Sequence, residues 1–502
     1  FNWILAGLLS LLGFSVTSCG ATDEYGSPYA EYELKGKVTD MNGDPIQGIE
    51  INYGGIYNNV LSPSYISEIY KSPQTQKDGS YDIKFEDSPM GIVRIIAKDI
   101  DGPENGSFET DSIDVKIEGF EGSKSWFHGK AEVNIPDIKL KEKNMDKRPN
   151  IKKRIALELF RSIKKNRAKL HELRTLFWEC TLRCNVSCRH CGSDCHVSAS
   201  VPDMPVEDFL KVIDDITPYV EPNKVLVIFT GGEALVRKDI EKCGLELYRR
   251  GYPWGIVSNG YLMTRERLDS LLASGLHSAT ISLDGFEEAH NWLRRNPKSF
   301  EKALNAICML AEEKEIIWDV VTCVNQRNFK DLMLFKDFLI EMGVKRWRIF
   351  TIFPVGRAAT ETDLQLTNEQ FTWVMNFIRF CRKEGKIHVS YGCEGFLGNY
   401  EAEVRDSIFQ CNAGINTASV LADGAISGCP SIRANFHQGN IYKDDFIDIW
   451  NNEFKPYRNR QWAKKGECAD CKMFRYCEGN GMHLYDDEGN LLVCHYKRLV
   501  DS

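Results

Sequence analysis

Apolar and polar residues follow one rhythm early in the chain and another later. Tyr32 to Thr39 (YELKGKVT) alternates as a half-buried strand does, and Asn42-Gly43-Asp44-Pro45 then signals a turn. Ile49-Glu50-Ile51, Tyr81 to Phe85, Val93 to Ala97 and Ile113 to Ile117 repeat the alternation. Residues 30–140 are therefore expected to form an N-terminal all-β sandwich. From residue 151 the period lengthens: Ile151, Ile155, Leu159 and Ile163 recur at helical spacing. Beyond that, short apolar runs alternate with helical stretches. The strand candidates are Leu176–Cys180, Lys224–Thr230, Gly255–Ser258, Ser278–Leu283, Trp318–Cys323 and Arg346–Phe353. Six such units predict an α/β fold, a partial (β/α)6 TIM-like barrel over 175–360 with its functional residues at the C-terminal strand ends. The remainder, 361–502, is read as a cysteine-rich extension.

The chain opens on a different pattern. Trp3 to Val16 is an apolar run too short to span a bilayer comfortably, and it fits the core of a signal peptide. It ends in Val16-Thr17-Ser18-Cys19-Gly20, which resembles a bacterial lipobox with Cys19 as the lipidation site. Residues 1–19 are thus expected to be an export signal; a buried N-terminal helix is the alternative. Between 145 and 174 lies a basic segment with eleven Lys or Arg against Asp146, Glu158 and Glu172. Two readings stand for it: a helix on an anionic membrane face, or a helix packed on the next domain with a solvated basic side. Met145 is a plausible start for an independent enzyme, so two reading frames are potentially joined here.

Composition narrows the class. With 502 residues, 43% hydrophobic content and a net charge of −8, the chain suits a multidomain globular protein and not one devoted to nucleic acid. Of its 17 cysteines, only Cys19 precedes residue 180. A secreted disulfide scaffold would spread them throughout, whereas here they cluster as metal or cluster ligands do. Cys243, Cys308, Cys323 and Cys381 fall in apolar patterns and read as buried thiols.

The first barrel strand runs into Cys180-Thr-Leu-Arg-Cys184-Asn-Val-Ser-Cys188-Arg-His-Cys191. One register gives CxxxCxxC: Cys184, Cys188 and Cys191. Three thiolates can hold three irons of a 4Fe–4S cube and leave the fourth iron for a small molecule. Zinc is the rival, with His190, Cys195 or His196 as a further ligand; Cys180 and Cys195 otherwise brace the loop. A CxxxCxxC loop after a strand resembles the hallmark of radical S-adenosylmethionine (SAM) enzymes. The resemblance implies that SAM binds the open iron and is cleaved to a 5′-deoxyadenosyl radical that abstracts hydrogen. Gly231-Gly232-Glu233 resembles the family's GGE motif, implying contact with the SAM amino group. Ser258-Asn259-Gly260 resembles the TNG-like motif. Ser282 and Asp284 would face the SAM ribose, Arg294 the SAM carboxylate, and Gly356 in Pro354-Val355-Gly356-Arg357 the adenine. His290-Asn291-Trp-Leu-Arg294 resembles an HDxxR stretch with Asn for Asp. Asn291, Asn325 and Arg357 are equally readable as structural.

The C-terminal cysteines Cys411, Cys429, Cys468, Cys471, Cys477 and Cys494 resemble the SPASM extension of peptide-modifying radical SAM enzymes. One or two auxiliary 4Fe–4S clusters are implied. Gly481 stands where one further cysteine belongs, so the second cluster keeps Cys468, Cys471, Cys477 and Cys494. The first keeps Cys411 and Cys429, with Cys393 as a candidate beside them and no identified fourth ligand; the alternatives are an open site, His483 as a borrowed ligand, or no cluster. A structural zinc at the four-cysteine set is the rival. Residues 30–140 (KGKVTDMNGDPIQGIEI…KDGSYDI) resemble a carboxypeptidase regulatory-like, transthyretin-type sandwich, and 1–140 as a whole resembles lipoproteins associated with radical SAM enzymes. The implied function is modification of a peptide or protein, with the lipoprotein segment among the candidate substrates and a low-potential electron donor as partner. A small-molecule substrate, or a lipid-anchored binding protein with a vestigial metal domain, is the alternative. SAM and low-potential electrons place the enzyme half in the cytoplasm; Cys19 or the 146–174 helix would bring it to a membrane.

Overall fold

The computed structural model describes residues 29–500, apart from 60–61, 67–69, 101–107, 123–126, 142–148 and positions 150, 200 and 393. The expected export signal and its Cys19 lie outside the described residues. The chain divides into two units, Phe1–Met145 and Asp146–Ser502.

The first unit is β-rich. Tyr29–Asp40 pairs antiparallel with Ser80–Asp87 and parallel with Phe127–Asn134, in a four-stranded sheet completed by Ile138–Leu140. Ile49–Asn59, Ile92–Asp99 and Asp111–Lys116 anchor a five-stranded sheet. Alternation dictates which side chains turn inward: Leu34 and Val38 of one sheet join Ile51, Val93 and Ile95 of the other in a single buried cluster. The strands at Phe127–Asn134 and Ile138–Leu140 escaped sequence reading because glycine, lysine and short length blur their alternation.

The second unit opens with helix α1, Ile151–Leu170. The packing alternative expected its Ile stripe to be buried. Instead Ile151, Ile155, Leu159 and Ile163 are exposed, and the opposite face docks. Leu157 is buried there, and Lys164 donates to the Tyr476 carbonyl at 2.7 Å. Lys153 pairs with Glu403 at 3.0 Å.

Six parallel strands follow in the expected order: β1 (Thr175–Thr181), β2 (Leu226–Gly231), β3 (Trp254–Ser258), β4 (Leu276–Ser282), β5 (Ile317–Val324) and β6 (Arg346–Thr351). Each pairs with its sequence neighbour through helical crossovers, which gives the TIM-like α/β fold. The sheet continues past β6 into β7 (His388–Tyr391) and past β1 into Thr417–Val420. The sequence started β2 at Lys224, but Pro222–Lys224 forms a 3-10 turn because Pro222 fixes the backbone before the strand. The core behind the strands is aromatic: Trp178 stacks on Phe209 at 4.4 Å, and Phe229 lies 5.1 Å from Trp254. Gly244 on the helix Ile240–Arg249 makes room for Trp254, since a Cβ there would meet the indole at 2.3 Å. We predict that Gly244→Ala overpacks this layer and costs about 1–3 kcal/mol. Thermal or denaturant unfolding of the full chain checks it, as a lowered transition for the α/β unit with the β-rich unit unchanged.

Candidate active site

The C-terminal ends of β1 to β6 converge on the loop after β1. Cys184 and Cys188 are buried, Cys191 is half-buried, and all three thiols are free. Three glycines press against this loop. A Cβ on Gly231 would lie 2.1 Å from the Thr181 carbonyl oxygen, and one on Gly232 would lie 2.3 Å from that of Arg183. One on Gly356, whose φ is +60°, would meet the carbonyl oxygens of Cys191 and Gly192 at 2.5 Å each. No side chain fits these contacts, which explains glycine at all three.

The loop is also held by charge. Arg357 donates from Nε to the Cys188 carbonyl at 2.7 Å and from Nη1 to the Cys195 carbonyl at 3.0 Å and to Asp194 at 2.7 Å. Its own N–H donates to the Cys191 carbonyl at 3.1 Å. Arg294 points Nη1 at the Cys188 sulfur, 3.6 Å away, and the Cys195 N–H donates to the Cys191 sulfur at 3.4 Å. Burial pushes the Cys184 thiol up to about 12, so an empty site keeps its proton. Cys191 is pulled below the ordinary thiol range by hydrogen bonds from Cys195. Cys180 lies behind, its Sγ 3.2 Å from the Thr230 carbonyl. Among the described residues, no three His, Cys, Asp or Glu stand close enough to share one metal ion. A cube asks for a wider spread, one thiolate at each of three irons.

The residues expected around SAM fall into two groups. Glu233 is buried and its carboxylate accepts from the Ser258 hydroxyl at 2.8 Å, the Asn259 N–H at 2.7 Å and the Leu235 N–H at 3.1 Å. Ser258 also accepts from the Gly260 N–H. These two side chains are therefore tied to each other, and together they brace β2 against β3. Asp284 is likewise spent on protein: it accepts from Arg294 Nε at 2.7 Å and from the Cys323 N–H at 2.9 Å. Burial would raise its pKa, but Arg294 beside it wins and holds it at about 2. Asn259 stays near the loop, with Nδ2 on Asn185 at 2.8 Å and 4.0 Å from the Cys184 sulfur. Ser282 is buried with no hydrogen bond to its hydroxyl among the described residues. Asn291 and Asn325 brace local turns, through Pro297 and Phe300 for the first and Cys323 and Arg327 for the second.

Two cavities open beside the loop. One, of about 210 Å³, is lined by His190, Val321, Cys323, Phe350, Ile352 and Glu394. The other, of about 140 Å³, is lined by Glu179, Ser193, Thr230, Gly231 and Arg433. Phe353 borders both. Sequence reading missed the polar wall: Arg433 reaches Glu179 at 2.5 Å from 254 residues away. It also missed Glu394, which accepts from the Thr351 N–H and the Tyr391 hydroxyl. Arg433 and Glu179, and likewise Glu394 and Thr351, are far apart in sequence, so no motif could announce either pair.

In the C-terminal region Cys468, Cys471, Cys477 and Cys494 feel one another. Burial pushes Cys468 up to about 11, with Cys494 and Cys471 adding to it. Burial pushes Cys477 up to about 12, with Cys494 adding. The Asn480 N–H donates to the Cys477 sulfur at 3.1 Å. Cys411 and Cys429 instead lie near the buried Tyr457 and add to the rise in its pKa that burial causes. At Gly481 a Cβ would meet the His483 ring at 2.6 Å and the Glu394 carbonyl at 2.7 Å. The space of the absent cysteine side chain is taken by His483. Cys393 lies outside the described residues.

We predict that Arg357→Met loosens the cysteine loop and lowers iron retention of the triad site by about 10–100-fold, the range for residues that orient metal ligands. Iron analysis under chelator challenge checks it, with Arg379→Met as a surface control.

Comparison with known proteins agrees with this geometry. Residues 178–339 match the Radical SAM superfamily model, and residues 411–472 match SPASM, an iron–sulfur cluster-binding domain. The chain is 30% identical over 321 residues to mycofactocin maturase MftC of Mycolicibacterium smegmatis, covering 61% of this chain and 77% of that protein. It is 25% identical over 344 residues to the AdoMet-dependent heme synthase of Nitratidesulfovibrio vulgaris, covering 64% of this chain and 91% of that one. The structure of native anSMEcpe with bound AdoMet and Cp18Cys peptide shares the fold, at TM-score 0.52 and 17% identity, over 66% of this chain and 95% of that one. Motifs, fold and relatives converge: the chain belongs to the radical SAM superfamily, as a 4Fe–4S-dependent enzyme with a SPASM iron–sulfur domain.

Proposed function

We propose that this enzyme modifies a peptide or protein by hydrogen abstraction, and that Cys184, Cys188 and Cys191 ligate the cluster that binds SAM. When bound, cluster and SAM supply a 5′-deoxyadenosyl radical; the protein supplies position, electrostatics and exclusion of water. Gly231 and Gly232 bring backbone against the ligand side of the loop. Arg294 stabilises the Cys188 thiolate and leaves N–H groups for the SAM carboxylate. Asn259 and Ser282 offer the remaining polar contacts, and Gly356 lets backbone approach the adenine. Cys468, Cys471, Cys477 and Cys494 hold an auxiliary cluster; Cys411 and Cys429 belong to a first auxiliary site that lacks a further cysteine, because Gly481 stands at that position. The substrate enters by the two cavities that meet at Phe353, one lined by Arg433 and the other by Glu394.

The observation that carries the peptide reading is the maturase relative at 30% identity. The β-rich unit supports it: we read it as a carboxypeptidase regulatory-like sandwich, lipidated at Cys19, that serves as substrate or delivery arm. The catalytic unit acts in the cytoplasm, where SAM and a low-potential donor are available. A second reading, an iron tetrapyrrole as substrate, is favoured by the heme synthase relative aligned over 91% of its length.

The test is anaerobic. Reconstituted enzyme, SAM and reductant are incubated with the 1–145 polypeptide added in trans. The proposal expects a changed mass in that polypeptide, stoichiometric with 5′-deoxyadenosine. An unchanged mass, with 5′-deoxyadenosine formation accelerated by an added iron tetrapyrrole, would transfer the reaction to the second reading.

A further inference from the structure

The apolar arc of α1 is exposed and is not covered by the described residues of its unit. Ile151, Ile155, Leu159, Ile163 and Leu170 are 76%, 57%, 66%, 47% and 55% exposed. At 100° per residue Ile151, Ile155, Leu159 and Ile163 fall on one side of the helix. The helix is not loose, because its other side is pinned. Leu157 is buried, Lys164 pairs with Glu478 at 2.8 Å, and the Tyr476 hydroxyl donates to Glu158 at 2.6 Å. A docked helix therefore holds a row of isoleucines and a leucine out toward water.

Charge says what the arc fits. Residues 151–170 carry eight Lys or Arg and one acid, Glu158, in a chain of net charge −8. Lys152, Arg154, Lys165 and Lys169 are exposed and make no ion pair among the described residues. Arg154 and Lys165 flank the apolar arc, and Lys152 and Lys169 stand at its two ends along the helix. A second copy of the helix would bring cations against cations. Among the described residues of the first unit, the exposed large apolar ones are Tyr29, Met41 and Ile100. No helix among the described residues is long and apolar enough to cross a bilayer. An apolar arc with cationic borders, on a helix that cannot span, matches the interface of an anionic bilayer.

We infer that α1 is an interfacial anchor. It seats the catalytic unit on an anionic lipid surface, with Ile155, Leu159 and Ile163 in the acyl boundary and Lys152, Arg154, Lys165 and Lys169 among the headgroups. This does not rest on the nature of the substrate.

The experiment is vesicle co-sedimentation of the full chain. One vesicle set is phosphatidylcholine; the other contains about one-third phosphatidylglycerol. Because Trp3 to Val16 is itself apolar, the wild type is compared with Ile155→Asp/Leu159→Asp and with Lys165→Glu/Lys169→Glu in the same chain. All four positions are exposed, so folding is preserved, and uncoupled SAM cleavage provides the control. The inference expects at least about tenfold stronger binding to anionic vesicles, weakened by salt, and a loss of at least about tenfold in each double variant. Three results would overturn it: no preference for anionic lipid, binding that persists in the variants, or a wild-type dimer by light scattering that Ile155→Asp/Leu159→Asp makes monomeric.

Discussion

Everything in the catalytic unit depends on how closely one backbone approaches another at the cysteine loop. Gly231 and Gly232 at the end of β2 touch the carbonyls of Thr181 and Arg183, and Gly356 after β6 touches those of Cys191 and Gly192. The loop is thus gripped at both ends by glycines from two different strands. A single methyl group at any of them would push the loop away. Arg357 fixes its middle by donating to the Cys188 and Cys195 carbonyls. A cluster needs its thiolates presented together at little cost, and this grip provides that before any iron arrives.

Electrostatics completes the arrangement. Glu233, Asp284 and Arg294 are all buried. None is unsatisfied, since Glu233 takes three protein donors and Asp284 pairs with Arg294. Buried charges persist only when paired and hydrogen-bonded. The pairing here is directional: it spends Asp284 on protein and aims Arg294 at the Cys188 sulfur. A positive group beside a thiolate lowers the cost of its charge in a dry site. Glu233 and Asp284 therefore tie the strand ends together, and Arg294 carries that pairing to the cysteine loop.

Much of this was legible in the sequence, for identifiable reasons. The six parallel strands could be read because short runs rich in apolar residues recur between helical stretches. The triad and its glycines could be read because spacing in one loop survives folding. What could not be read was decided at long range. Arg433 meets Glu179, and Glu394 meets Thr351, across large sequence separations. Helix α1 was read correctly as amphipathic, but its docking face was not. Periodicity reveals that a stripe exists and says nothing about what covers it. Here Leu157 and the stem of Lys164 pack inward while the richer stripe is left outside. Gly481 was visible as a departure, yet only the fold shows His483 filling the space it leaves.

The central claim is that three thiolates leave one iron free for SAM. Electron–nuclear double resonance tests it directly, on anaerobically reconstituted, reduced enzyme mixed with SAM carrying an oxygen-isotope label in its carboxylate. The account predicts hyperfine coupling between label and cluster. It predicts that the coupling survives Cys468→Ala/Cys471→Ala and disappears in Cys188→Ala. A fully iron-loaded wild type with no coupling to the label would contradict it.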